Sequence, residues 1–389
     1  MALGLSLPVP VLVARQARPS LIVGGVDILM GLAAQNILSF CYTDNTSDQA
    51  DDLSISIADP YRIWMQRYLP KKGIEIQASI ILSNWNGPGD NRSLRCGTFY
   101  VDNVGISGPP NVVNMRGTSI PINTGLKTEK RTKSWENQDL KSIAGGIAGQ
   151  NGLTLVYDAK DNPTVKRTDQ MEKADIQYIR ERAKDNSLSV KIHDKKLVIY
   201  SEQEYEAKLA AFFLVDGQSN ILRYDFNSKV DDTYDSAENS YVNPETGKLT
   251  TTTFTPNKPP EGTGSKLNVN ERVDVDKDGM PEYGQKSGQR DLPKYDYTND
   301  AAAQNNGKGE KIQERSEQKC KSKLREKNKR ERQCSIATHG NINYLSGITF
   351  QLMKFGIFDG KWFAESTIHE ISEGGYTTQL RLRTALEGY

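Results

Sequence analysis

The chain has 389 residues, with 50 basic and 49 acidic side chains and a hydrophobic share of 36%. That length holds two or three domains, and a net charge of +1 excludes global attraction to nucleic acid or anionic membrane, leaving only local charge asymmetry to act. The hydrophobic share is low for a chain that is core throughout, so some stretch must contribute little to any core.

At the N-terminus, MALGLSLPVPVLVARQARPS lacks a basic leader region, and Pro8 and Pro10 interrupt an apolar run far short of the ~18 residues of a membrane span. Strand-like Val/Leu alternation fits it better, and the chain reads as soluble and unprocessed. From Leu21 to Pro121 short runs rich in Val, Ile and aromatics, separated by Gly, Asn, Asp and Pro clusters, predict a β domain over residues 1–123. One helix interrupts it, DPYRIWMQRYL, with Asp59 as N-cap, Pro60 at the first helical position, and Ile63, Met65 and Tyr68 on the buried side.

The period then changes. WENQDLKSIAGGIAGQNG puts Leu140, Ile143 and Ile147 on one helical face and stops at Asn151-Gly152, and the strand LTLVYD follows. KADIQYIRERAKDNS repeats the helical spacing at Ile176, Ile179 and Ala183, and LSVKIHDKKLVIY predicts a hairpin turning at Asp194 and Lys195. Residues 124–208 thus read as a small α+β insert.

Strands resume with AAFFLVDG and ILRYDFNSKVD, opening a second β domain over 209–389. Between 243 and 309 apolar residues thin out and the composition predicts a linker or strap. Within it, Asp274, Asp276 and Asp278 fall at positions 1, 3 and 5 of an EF-hand loop with Gly279 at position 6, but position 12 is Gln285 and no amphipathic helices flank it, so an acidic turn is the better reading. Residues 308–334 carry eleven Lys/Arg and five Asp/Glu, a net +6, and predict a charged helix over 310–334 with a thin Ile312, Cys320, Leu324 stripe. Residues 225–300 carry fifteen acids and nine bases, a net −6, so either the acidic strap lies near the basic helix, in the same or a neighbouring subunit, or the helix is solvated with only that thin stripe. That helix lacks interleaved aromatics, and no specific nucleic-acid binding is expected.

The last 50 residues are β again. Trp362, Ala364, Ser366, Ile368 and Glu370 alternate along one strand, Gly374-Gly375 marks a hairpin turn, and Tyr376, Thr378, Leu380 and Leu382 alternate back. His369, with His193 and His339 the only histidines, has Glu365 and Ser366 nearby on opposite faces, and no nucleophile signature accompanies it. The glycines connect strands instead of opening a helix, so they do not form a phosphate cradle. Cys41, Cys96, Cys320 and Cys334 are scattered, without disulfide or metal-ligand spacing, and are expected as free thiols of a reducing cytoplasm. No catalytic residue, cofactor or metal is predicted.

What remains is architectural. CGTFYVDNVGISGPPNVVNMRGTS (96–119) and DGKWFAESTIHEISEGGYTTQLRLRTA (359–385) both run from a glycine through an aromatic pair, Phe99-Tyr100 or Trp362-Phe363. Each alternates to an Ile-Ser, turns, and returns as a strand with arginine near its end. The chain carries two copies of one β pattern.

These segments, with ADIQYIRERAKDNSLSVKIHDKKLVIY between them and HGNINYLSGITFQLMKFGIFDGKWFAESTIHEISEGGYTTQLRLR at the end, resemble the late control D, or tail-hub, family of contractile phages and phage-derived bacteriocins, which shares the fold of the T4-type baseplate hub. The long polar 243–309 region departs from that pattern. The resemblance implies an α+β, β-rich fold with two tail-tube-like units around the insert, and a homotrimer whose six units adapt a six-fold tail tube to a three-fold central spike. It implies as partners the tube and spike proteins, other baseplate or LysM-type hub-associated proteins and a tape-measure C-terminus, without a membrane, in a virion or tail-like particle assembled in the bacterial cytoplasm. Arg381, Arg383, Lys323, Arg325, Lys329 and Arg330 become interface candidates. The alternative is a tail-associated peptidoglycan hydrolase, for which the sequence supplies neither paired carboxylates nor a Cys/His pair.

Overall fold

The structure is a computed structural model describing residues 14–29, 36–47, 49–68, 71–242, 249–257, 259–260, 264–269, 282–283, 308–386 and 388–389. The first strands are β1 (Gln16–Val23), β2 (Val26–Asp27), β3 (Ile37–Asn45), β4 (Asp52–Ala58), β5 (Glu75–Ser83), β6 (Arg92–Ser107) and β7 (Val112–Thr118). Alternation decides their inner face: Leu53, Ile55 and Ile57 of β4 and Ile76, Ala78, Ile80 and Leu82 of β5 point into one core with Phe40, Tyr42 and Phe99.

The insert comprises β8 (Lys130–Asp139), α1 (Leu140–Gln150), β9 (Thr154–Asp158), β10 (Thr164–Ala174), α2 (Asp175–Lys184), β11 (Ser189–His193), β12 (Lys196–Tyr200) and α3 (Glu202–Ala207). Leu140, Ile143, Ile147, Ile176, Ile179 and Ala183 are buried together against β11 and β12, giving the insert its own core. Asp194 and Lys195 both take positive φ, as the two-residue hairpin between β11 and β12 requires.

The rest comprises β13 (Phe212–Val215), β14 (Ile221–Ser228), β15 (Ser236–Val242), β16 (Leu249–Phe254), β17 (Lys266–Asn268), β18 (Glu282–Tyr283), α4 (Lys308–Asn328), β19 (Arg332–His339), β20 (Thr349–Met353), β21 (Gly360–Ser372) and β22 (Gly375–Thr384). One main sheet runs β14-β19-β22-β21-β3-β4-β7-β6-β5-β1-β2, with β20 on β21 and β13 on β20.

Where β21 meets β3, this sheet divides into two halves that follow the same path. β3-β4-β7-β6-β5-β1 in the first half matches β14-β19-β22-β21-β20-β13 in the second, strand for strand in chain order. The register matches too. β6 bulges at Asp102 and β21 at Glu365, each three residues after the first aromatic of its pair, Phe99 or Trp362. Likewise β3 bulges at Leu38 and β14 at Leu222, inside Asn36-Ile37-Leu38 and Asn220-Ile221-Leu222. Even the flanking bonds recur: Val101 N–H to Ile74 O at 3.1 Å corresponds to Ala364 N–H to Ile348 O at 2.9 Å. One pairing differs, since β13 joins β20 in parallel whereas β1 joins β5 antiparallel.

Several expectations are corrected. Trp135 lies on β8, because that strand pairs with β10; the helix begins only at Leu140, where the Asp139 carboxylate accepts the Ser142 N–H at 2.6 Å. Asp59 does cap the turn after it, accepting the amides of Ile63 at 2.8 Å and Met65 at 3.0 Å, but Trp64 is the buried residue there and Ile63 and Met65 are exposed. In β21 the bulge at Glu365 flips the alternation, so Thr367, His369 and Ile371 are buried while Glu370 turns outward. The charged helix ends at Asn328, and Arg332 to Cys334 belong to β19, held between β14 and β22. Within the polar region Leu249–Phe254 is a strand: its threonines are β-branched and pair with β15, and both strands lie on α4, where Cys320 and Leu324 are buried with Ala237.

Gly340 follows β19, and a Cβ there would lie 2.0 Å from the Tyr376 ring. Gly340→Ala is therefore expected to lower stability by about 3 kcal/mol through overpacking, whereas Gly374→Ala, with its nearest atom at 3.7 Å, should be near neutral. Denaturant midpoints of the two variants check this; equal midpoints would show that the Tyr376 ring yields freely.

Candidate functional site

Charged side chains gather where the insert meets the join between the two sheet halves. Arg383 of β22 is fully buried, its guanidinium 4.7 Å from the centre of the Phe363 ring. It donates to Glu202 at 3.0 Å and to Glu206, with Glu365 at 3.3 Å. Glu202 and Glu206 stand one turn apart on α3, whose start is fixed by the Ser201 hydroxyl accepting the Glu204 N–H. Arg325 of α4 reaches Glu206 at 2.6 Å, and the hydroxyls of Ser47 and Ser189 each donate to Glu202 at 2.8 Å. One cluster thereby ties the first half, the insert, α4 and the second half. Burial raises the Glu202 pKa, but Arg383, Lys329 and Arg325 outweigh it and hold that carboxyl at about 2. The balance reverses at Glu365, where burial wins over Arg383 and its pKa is raised.

A second cluster lies beside β3. Lys191 of β11 contacts Asp44 and stands 3.4 Å from Asp51, while His193 Nδ1 is 2.7 Å from Asp51. Burial disfavours the charge on Asp44, yet the Lys191 ammonium more than compensates and its pKa is lowered; Lys191 is raised in turn by Asp44 and Asp51. Asp44, Asp51 and His193 come close enough to hold a metal ion, but the buried ammonium of Lys191 already supplies the positive charge between the carboxylates. His369 is buried against Tyr42 and bonds the Tyr376 hydroxyl at 2.7 Å, and burial lowers its pKa to about 4. Its ring stacks on Tyr42, and the Thr378 hydroxyl lies 3.4 Å from its Nδ1.

The interface candidates divide. Arg381 and Arg330 are exposed and Lys323 is half-buried, but Arg383, Arg325 and Lys329 turn inward, Lys329 pairing with Glu326 at 2.7 Å. The reason for Arg383 is register: on β22 it points to the face opposite the core residues Leu380 and Leu382, and there the α3 carboxylates cover it. Asp274, Asp276 and Asp278 lie outside the described residues. Sequence reasoning passed over Glu202, Glu206, Asp44 and Lys191, whose only signal was the Ser201-Glu202-Gln203-Glu204 capping pattern. The strand ILRYDFNSKVD was legible, but not its place: β14 ends the sheet path and leaves Leu222 and Tyr224 about half exposed.

No family model matches the chain. Over 166 residues it is 26% identical to a protein described as a probable baseplate hub protein of Escherichia phage 186, a match covering 42% of this chain and 40% of that relative. The match therefore spans about two fifths of the relative's length. Two solved structures align over nearly all of the chain. The 43 kDa tail protein of prophage MuSo2 from Shewanella oneidensis gives a TM-score of 0.65 at 10% identity, covering 95% of this chain and 99% of that one. A tail protein from Neisseria meningitidis MC58 gives 0.63 at 12%, covering 94% and 96%. The chain shares the fold of phage tail proteins. Both the phage 186 likeness and this fold agree with the tail-hub resemblance seen in the sequence. Among the described residues no helix is long and apolar enough to cross a membrane.

Arg383→Met leaves buried carboxylates without their cation and should cost about 4 kcal/mol, with part recovered when Glu206→Gln is added. Thermal unfolding of both variants checks it; a loss below about 1 kcal/mol would show that the cluster contributes little. His369 gives a pH signature. With a folded pKa of about 4 and an ordinary one of 6.5, the unfolded chain takes up a proton that the fold refuses. Its contribution is complete above pH 6.5 and should fall by about 3 kcal/mol as pH drops towards 4. His369→Gln should flatten the stability-against-pH curve in that window; an unchanged slope would refute the assignment.

Proposed function

We propose that the chain is a structural baseplate-hub subunit of a contractile tail, acting by binding and not by turnover. Residues 1–123 and 209–389 are its two tube-like units and residues 124–208 the domain that braces them. Three copies form a ring of six similar units, one face meeting a six-fold tail tube and the other a three-fold spike.

The observation that carries this reading is the register-matched repeat. A duplicated unit lets a trimer present near six-fold symmetry while remaining three-fold, which a single-unit subunit cannot do. The likeness to the phage 186 protein supplies the baseplate setting, and the shared tail-protein fold supports it. The tube and spike proteins are the direct partners, with LysM-type hub-associated proteins and a tape-measure C-terminus as neighbours, in a virion or a tail-like bacteriocin. Exposed Arg381 and Arg330, with Lys323, remain the basic interface candidates.

Light scattering on the concentrated chain, alone and with its tube and spike subunits, is expected to give three copies in the assembled species. A stable dimer in that species would overturn the reading.

A further inference from the structure

Within one chain, the second half joins the first by a specific strand contact. The far part of β21 pairs antiparallel with β3, Ser366 opposite Asn45, Ile368 opposite Thr43 and Glu370 opposite Cys41. Just before this ladder the Thr46 N–H donates to the Glu365 carbonyl, at the bulge, at 2.9 Å. Because the halves match in register, both partners in this contact have counterparts that are left open among the described residues. The counterpart of far β21 is far β6: its ladder with β5 stops at Tyr100, and beyond the Asp102 bulge Asn103–Ser107 pairs in the sheet with β7. The counterpart of β3 is β14, which ends the sheet path.

Exposure marks these edges as unfinished. Tyr224 of β14 occupies the position of Phe40 in β3, yet Phe40 is 0% exposed and Tyr224 46%. Ile106 of β6 occupies the position of His369 in β21, 39% exposed against 0%. Leu222 and Val230 are also more than half exposed beside β14. Apolar side chains on an uncovered strand edge invite another strand, and among the described residues the edge whose shape and register already fit β14 is far β6.

We propose that β14 of one copy pairs antiparallel with far β6 of a second copy of this chain, repeating between copies the contact that β3 and β21 make within one. The register follows by transfer: Lys229 opposite Asn103 of the other copy, Asn227 opposite Gly105, and Asp225 opposite Ser107, with the Val230 N–H directed at the Asp102 carbonyl. The contact is heterologous, so each copy offers one edge and receives the other, and three equal steps close the sheet upon itself without a free β14 edge. This rests on the ring reading above and adds to it the strands and the register.

Cysteine pairs test the register. Gly105 has open space where a Cβ would go and a φ outside the left-handed region, and Asn227 is exposed, so neither substitution threatens the fold. The full-length chain carrying Gly105→Cys and Asn227→Cys is concentrated, oxidised and run on a denaturing gel beside a control carrying Gly105→Cys and Asp225→Cys. The first pair is expected to give disulfide-linked dimers and closed trimers. The control should give roughly a tenth of that yield, because a two-residue offset separates opposing Cβ atoms by ~7 Å. Preference for the control would overturn the register. Equal failure of both pairs in a species that light scattering weighs as three copies would overturn edge pairing while leaving the ring reading intact. Linked products larger than trimers would overturn closure at three. A chain that stays single at every concentration and with its tube and spike subunits, and never links, would remove both readings together.

Discussion

The pairing of β21 with β3 is the contact on which the rest of the architecture depends. It joins residues 319 apart in sequence at Thr46 and Glu365, and it turns two separate half-sheets into one. Closing so long a loop costs little more than closing a shorter one, since the entropy grows only logarithmically with length. What the contact needs is a reason to choose one register among many. The aromatic and apolar tip of the second half supplies it: Ile371 and Tyr376 pack into the first half's core beside Phe40 and Tyr42. A one-residue slip would move every one of these side chains to the other face.

The two charge clusters act on the same join. Arg383 with Glu202, Glu206 and Glu365 sits at one place, and Lys191 with Asp44 and Asp51 at another, and both link insert side chains to strands of the sheet. Buried ion pairs add little net stability over apolar packing, but breaking one partner is costly. Their effect is therefore on choice of arrangement: any docking of the insert that separates Arg383 from α3 strands carboxylates in a dry interior. The two clusters thereby favour one placement of the insert, against both halves.

Much of this was legible in the sequence, and the parts that were not share a cause. The β-hairpin at the C-terminus, the glycine-aromatic repeat, Asp59 as a cap and the Asp194-Lys195 turn follow from local chemistry, and local chemistry is what a sequence displays. The inward turn of Arg383 does not, because a basic residue on an alternating strand looks solvent-facing until carboxylates from an element 177 residues away arrive to meet it. The flip of alternation at Glu365 was hidden for a related reason. A bulge is one extra residue, and only the partner strand shows which residue is extra. Trp135 was drawn into the following helix because its strand character depends on β10, not on its neighbours in the chain.

Duplication carries a physical consequence that a single unit would not face. When a unit with two complementary edges is copied in tandem, one pair of edges is satisfied inside the chain and the other pair is left at its two ends. The two strands are encoded separately, yet Asn36-Ile37-Leu38 and Asn220-Ile221-Leu222 build the same bulged strand, so the terminal edge keeps the shape of its internal counterpart. Edge strands of monomeric proteins are usually blunted by charge, proline or cover. Here β14 keeps Leu222 and Tyr224 instead, with Arg223 and Asp225 as its only charges. The pairing proposed above covers that edge with the far end of β6, which every copy of this chain brings with it.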